Sequence, residues 1–159
     1  MILKSALTVV FALSLAACGD NITFGPTSRG GTSLGATVSG SIDGSTGRTT
    51  LPGRSSSIEV PAETWTVTLS AGEPVTLLMC RTSGSSFDPY VSIHGPGGRT
   101  DNARTDDDGA GYPNSRLIYT PTTSGAHTIY ASTFTYTSTR NGTYSLTVYP
   151  GSMGSVRCP

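Results

Sequence analysis

The sequence predicts an all-β protein, an antiparallel jelly-roll-like β-sandwich of about seven to nine strands. Three observations predict it. Short segments alternate apolar and polar side chains with a period of two. Gly, Pro, Asn, Asp and Ser cluster between those segments as turn residues. Beyond the first residues, no segment carries an apolar stripe at helical spacing. A chain of 159 residues suits one domain rather than two.

The opening residues, Met1 to Ala17, read as a targeting segment outside the fold. Lys4, the only lysine, supplies a positive start, and Ala6 to Leu15 is an apolar stretch well short of the ~20 residues that span a bilayer. Leu15-Ala16-Ala17-Cys18 resembles a bacterial lipobox, in which small residues admit a signal peptidase and the cysteine thiol accepts a diacylglycerol. Several acyl chains on Cys18 would make a stable membrane anchor, since each buried methylene contributes ~0.8 kcal/mol. Residue two of the mature chain would be Gly19 rather than an aspartate, which favours the outer membrane. The expected location is therefore extracytoplasmic, lipid-anchored to the bacterial cell envelope.

Cys18 to Gly35 is rich in Gly, Ser, Thr and Asn, has little to bury, and reads as a flexible tether. The sandwich is expected over Ala36 to Pro150. Thr37 to Ile42 is a first weak strand, followed by a polar loop and a brief pairing at Ser57 to Val60. In Thr64 to Leu69 the side chains of Trp65, Val67 and Leu69 share one face and three threonines the other. After the turn Ser70 to Glu73, Pro74 to Cys80 returns as an apolar strand, so the pair reads as a hairpin. Asp88 to His94, Arg116 to Thr120, Ala126 to Ala131 and Thr143 to Tyr149 complete the strands. Their expected inward residues are Val91 and Ile93, then Leu117 and Tyr119, then Tyr144, Leu146 and Val148. Gly151 to Pro159 is a C-terminal tail.

If Cys18 is acylated, Cys80 and Cys158 are the two cysteines left. An oxidising compartment favours a disulfide tying the tail to the middle of the domain; the alternative is two buried thiols. Ten basic residues balance ten acidic ones, without the clustered basic surface that a nucleic-acid partner demands.

An ordered series of motifs adds a resemblance. Glu63-Thr64-Trp65-Thr66-Val67-Thr68-Leu69-Ser70-Ala71-Gly72-Glu73 is followed by Phe87-Asp88-Pro89-Tyr90-Val91-Ser92-Ile93 and Asp106-Asp107-Asp108-Gly109. Asn114-Ser115-Arg116-Leu117-Ile118-Tyr119-Thr120, Ser124-Gly125 and Gly142-Thr143-Tyr144-Ser145-Leu146-Thr147-Val148 complete it. The series, from about Ala36 to Pro150, resembles the bacterial pre-peptidase C-terminal (PPC) domain. The resemblance implies a jelly-roll-like sandwich with an accessory role beside secreted proteases, where related domains help bind substrate and some members bind calcium. No protease sequence precedes it here, so a link to a protease is not implied. His127 stands where the family usually has an aromatic such as Tyr.

Several residues are candidates for chemistry. Asp88, Asp101, Asp106, Asp107 and Asp108 form a candidate calcium site, because a hard cation takes six to eight oxygens and relieves carboxylate repulsion. Their spacing is not that of an EF-hand, and an Asp-Gly turn balanced by Arg104 or Arg116 is the competing explanation. Asp88 also suits capping of nearby amides ahead of Pro89, and Ser115 suits a hydrogen bond within the same loop. Tyr112, Phe134 and Tyr136 are candidate ligand-binding aromatics for a glycan or an extended peptide; a Thr-rich strand edge would look the same. His94 and His127 are the only imidazoles. No Gly-x-Ser-x-Gly elbow or His-Glu-x-x-His helix accompanies them, so an unrecognised hydrolase is the least favoured reading. The expectation is a non-catalytic binding or accessory module with a protein or polysaccharide ligand, the alternative a calcium-stabilised envelope scaffold.

Overall fold

The computed structural model describes residues 25–52, 59–135 and 140–159, without the side chains of Asp101 and Asn102. The expected leader, Cys18, Tyr136 and the first two residues of the expected Ser57 to Val60 pairing lie outside the described residues. Ten strands occur among them: β1 (Thr27–Gly31), β2 (Thr37–Ile42), β3 (Arg48–Thr49), β4 (Val60–Leu69), β5 (Val75–Ser83), β6 (Pro89–Gly95), β7 (Arg99–Asp106), β8 (Ser115–Tyr119), β9 (Gly125–Thr133) and β10 (Gly142–Pro150). The larger sheet runs β1-β4-β9-β6-β7 with β3 also beside β4, and the smaller runs β2-β10-β5-β8. The all-β sandwich is as the sequence predicts.

Alternation builds the core. Trp65, Val67, Leu69, Val91, Ile93, Ile129 and Ala131 from the larger sheet face Val75, Leu77, Met79, Leu117, Tyr119, Tyr144, Leu146 and Val148 from the smaller. Every inward residue expected from the sequence is among them. The hairpin expectation fails. β4 pairs with β9 and β5 with β10 and β8, so the turn at Gly72 (φ +81°) arches from one sheet to the other. Two apolar faces meeting across a core need no hydrogen bonds between their strands, and the local pattern is the same in both arrangements.

β5 reads as an unbroken apolar run because both its faces are covered. Leu78 and Cys80 point away from the core, and the C-terminal tail lies over them with Val156 and Cys158, next to Tyr149 of β10. Gly151 N–H donates to the Pro74 carbonyl at 2.8 Å. Thr76 Oγ1 donates to the Gly151 carbonyl and accepts from Met153 N–H, each at 2.8 Å. The Cys80–Cys158 disulfide closes the tail onto the sheet.

Part of the expected tether is structured. β1 pairs parallel to β4, with Thr27 opposite Glu63 and Gly31 opposite Thr66. It contributes backbone hydrogen bonds rather than apolar side chains, so it leaves no alternation to read. Arg29 reaches from β1 to the buried Glu63, donating through Nε at 2.7 Å and through the adjacent guanidinium nitrogen. Glu63 also accepts from Tyr144 Oη at 2.7 Å and from Ser41 N–H at 3.3 Å, while Trp65 Nε1 donates to Tyr144 Oη at 2.9 Å. The acid-bearing stretch between the Asp88 and Arg116 strands, for which no strand is expected, forms β7, a polar edge strand paired to β6.

Candidate functional site

Three connections meet at one end of the sandwich. The 107–114 loop joins β7 to β8, the segment after β9 leads towards β10, and Gly84 to Asp88 joins β5 to β6. Ser115 Oγ binds the first of these to β6, donating to the Pro89 carbonyl at 2.7 Å and the Asp107 carbonyl at 3.2 Å. Phe134 N–H donates to the Asp88 carbonyl at 2.8 Å, which holds the second. Arg81 braces the third, donating to the carbonyls of Ser85 at 2.8 Å and Phe87 at 3.1 Å.

Asp88 sits at their junction. Its residue is only 7% exposed, and its Oδ1 has no hydrogen-bond partner, so the amide capping expected of it is not made by that oxygen. Burial, then the charges of Asp108 and Asp107, push its carboxyl up to about 6, against the opposing pull of Arg140 and Arg81. A buried carboxylate without a donor is costly, and protonation or a cation would relieve it.

Asp106 does a different job. Its Oδ1 accepts from Gly109 N–H and Arg116 N–H, both at 2.8 Å, which shapes the Asp-Gly turn and caps the start of β8. Burial raises its carboxyl while the Gly109 hydrogen bond lowers it. The predicted acids are thus divided: Asp107 and Asp108 act on Asp88 electrostatically, and Asp106 is committed to backbone amides. Among the described residues, no three His, Cys, Asp or Glu side chains gather as a metal-holding group.

The expected aromatics Tyr112 and Phe134 both belong to this end. Tyr112 is 75% exposed, ahead of the cis peptide to Pro113. Phe134, 43% exposed, lies 6.2 Å from the Tyr90 ring. Tyr90 in turn packs with Leu51, Val60 and Tyr130 on the outer face of the larger sheet, and its hydroxyl donates to the Pro52 carbonyl at 2.6 Å.

At the opposite end, Leu34, Leu69, Pro74, Val75 and Pro150 line an open cleft of about 270 Å³, with Glu73 at its margin. This cleft leaves no pattern in the sequence, because its walls come from three turns that are distant in the chain. The exposed Leu34 within a polar stretch was the available signal.

The histidines do not meet. β6–β9 register sets His94 opposite Thr128, on the outer face of the larger sheet, whereas His127 points into the core with Ile129. His94 Nε2 lies 3.0 Å from Ser92 Oγ and its ring 4.4 Å from that of Tyr130; burial lowers its pKa. His127 is fully buried, with Nδ1 3.0 Å from the Gly125 carbonyl and its ring edge-on to Tyr119.

No protein-family model and no curated protein matches the sequence. Solved structures do match the fold. The pre-peptidase C-terminal domain of a Bacillus anthracis collagenase superposes with a TM-score of 0.55 at 14% identity, covering 77% of this chain and 95% of that one. PliG of Aeromonas hydrophila, a periplasmic inhibitor of g-type lysozyme, gives 0.48 at 15% identity, covering 78% and 99%. CorA of Methylomicrobium album BG8, a surface-associated copper-binding protein, gives 0.47 at 13% identity, covering 76% and 97%. The chain has the fold of a PPC domain.

Proposed function

We propose that this protein is an extracytoplasmic, membrane-anchored, non-catalytic binding module, which holds a protein or polysaccharide ligand of the cell envelope. One observation carries the binding reading: the open, largely apolar cleft between Leu34, Leu69, Pro74, Val75 and Pro150. It lies at the end of the sandwich where three turns distant in the chain come together. Apolar concavity with a few polar groups is the usual form of a recognition site. The separated, buried histidines offer no catalytic pair to a hydrolase. The Cys80–Cys158 bridge suits an oxidising compartment, and Leu15 to Cys18 supplies the anchor.

Defined peptide and glycan arrays probed with the full-length protein test this reading. The expected result is a discrete ligand class whose binding weakens at least tenfold in Leu34→Asp. Ligand binding unchanged by Leu34→Asp would remove the cleft from the account. Acylation is read separately: the mass of the purified protein should include acyl chains on Cys18, and Cys18→Ala should release the protein from membranes.

A second reading, a calcium-stabilised scaffold, is favoured by the unpartnered Asp88 Oδ1. Asp88 would hold the ion together with backbone carbonyls and water, the charges of Asp107 and Asp108 adding to the attraction, while Asp106 Oδ1 stays with its two amides. A melting point that rises with millimolar calcium and falls with chelator, in wild type and not in Asp88→Asn, is the result this reading requires.

A further inference from the structure

The position at which the chain enters the sandwich limits how the domain can stand on a membrane. Gly25, the first described residue, lies against Gly47: a side chain on Gly47 would collide with the Gly25 carbonyl, and Gly47 N–H donates to Thr27 Oγ1 at 3.0 Å. Gly47 is in turn fixed to β4, its carbonyl accepting from Ala62 N–H at 2.9 Å. Ala62 pairs with Ser132, and Thr133 with Pro89. The chain therefore enters beside the end that holds Asp88 and Phe134. The Ser115–Pro89 hydrogen bond brings the Tyr112 loop to the same end.

Six residues lie between Cys18 and Gly25, and the seven steps from one to the other span at most about 25 Å when fully extended. β4 alone, ten residues from Val60 to Leu69, runs about 30 Å towards the Leu34 end. A domain anchored through Cys18 cannot invert to rest its Leu34 end on the lipid while Gly25 points away, because the connection is too short.

The side faces are poor lipid contacts. Along β4 and β9 the larger sheet turns Thr64, Thr66, Thr68 and Thr128 outwards. On the smaller sheet the tail covers Leu78 and Cys80, leaving Ile118 as a single exposed apolar side chain without an aromatic beside it. The Asp88 end, by contrast, carries Tyr112 and Phe134, 75% and 43% exposed. A tyrosine, with a polar hydroxyl on an apolar ring, is suited to the membrane–water interface, and a wholly apolar phenylalanine beside it gains by leaving water.

We propose that the Asp88 end docks on the bilayer, with the Tyr112 and Phe134 rings seated in the lipid headgroup layer. The Leu34 cleft then faces away from the membrane, open to ligand. This inference rests on anchoring through Cys18, and it replaces a free glycan or peptide with the lipid surface as the occupant of the aromatic end.

The test uses lipidated full-length protein, expressed with its own leader and reconstituted into phosphatidylcholine vesicles carrying brominated acyl chains. Phe134→Trp, Tyr112→Trp and Leu34→Trp are compared, each after subtraction of wild-type emission from the buried Trp65. Bromine quenches tryptophan only at short range, so quenching at positions 134 and 112 should be at least twofold greater than at 34. Two positions at the docking end keep the test valid if one variant misfolds. Floating protein with equal or stronger quenching at 34 overturns the orientation while leaving the anchor intact. Protein that carries no acyl chain and fails to float overturns the anchor, and the orientation with it.

Discussion

The hydroxyl of Tyr144 donates to Glu63 Oε2 at 2.7 Å across the core of the sandwich. It joins β10 of one sheet to β4 of the other, and it also accepts the indole N–H of Trp65. Burial, reinforced by the Glu63 hydrogen bond, drives the phenol strongly upward, so it stays a donor at every physiological pH. Gly40 faces this pair so closely that any side chain there would strike both the carboxylate and the phenol. Tyr144→Phe removes the hydroxyl and leaves the Trp65 N–H without its acceptor. The expected loss is about 1–3 kcal/mol, read as a lower urea midpoint with an unchanged slope.

Arg29 completes the same network from β1. Arg29→Met keeps much of the aliphatic stem and removes the charge, leaving Glu63 buried without its cation. Breaking a fully buried pair costs about 3–5 kcal/mol. The Arg29 side chain is 40% exposed, and solvent screening brings the expectation down to about 2 kcal/mol. Amide exchange should accelerate in β1 well before the global transition, because this strand has few other side-chain contacts.

The disulfide closes a loop with a sequence separation of 78. Chain-entropy reasoning assigns a closure of that length about 4 kcal/mol. Cys158→Ser should lower stability by up to that amount and free the tail from Leu78 and Ala110. Thermal melts of wild type with and without reductant check it: the reduced protein should melt with the variant.

Elements whose side chains are buried are legible in the sequence pattern, and elements that backbone pairing alone supports are not. Trp65, Val67 and Leu69 announced β4 by alternation. Glu63 is in phase with them, so its inward position was already written in the same period, though a carboxylate does not look like core. β1 and β7 escaped because Thr27 to Gly31 and Arg99 to Asp106 hold few apolar residues, and edge strands need none. The acids at the Asp88 end were legible as a cluster, yet their division of labour was not. Whether a carboxylate meets an amide or a neighbouring carboxylate depends on loop geometry that composition does not carry.

Asp88 makes stability depend on pH with an unusual sign. Its folded pKa of about 6 lies above the ordinary value of 3.8, so the folded state binds its proton more tightly than the unfolded chain does. This stabilisation is complete below about pH 4 and is lost as pH rises through 6. The buried His94, whose pKa is lowered, acts oppositely: its contribution is lost as the solution is acidified below the unfolded histidine value. The two are separated by comparing wild type with Asp88→Asn at each pH. The variant should gain melting temperature at pH 7, keep only part of that advantage at pH 4.5 and lose it below about pH 4. An advantage that is constant across this range would rule out titration of Asp88 as its source.

β8 is an edge strand, and Asp106 protects its first half. With Asp106 Oδ1 accepting from Arg116 N–H, the outward amide at that position is not available to another chain. Exposed edge amides invite pairing with other strands. Asp106→Ala therefore acts in two ways. It strands the amides of Gly109 and Arg116, at an expected cost of about 2 kcal/mol, and it opens β8 along the edge it shares with Ile118. Asn at this position keeps the acceptor oxygen and should restore most of both effects. Light scattering at rising concentration should show association of Asp106→Ala at temperatures where wild type and Asp106→Asn stay monodisperse. If Asp106→Ala loses stability and yet remains monodisperse, the carboxylate is a turn-former only, and some other feature guards the edge.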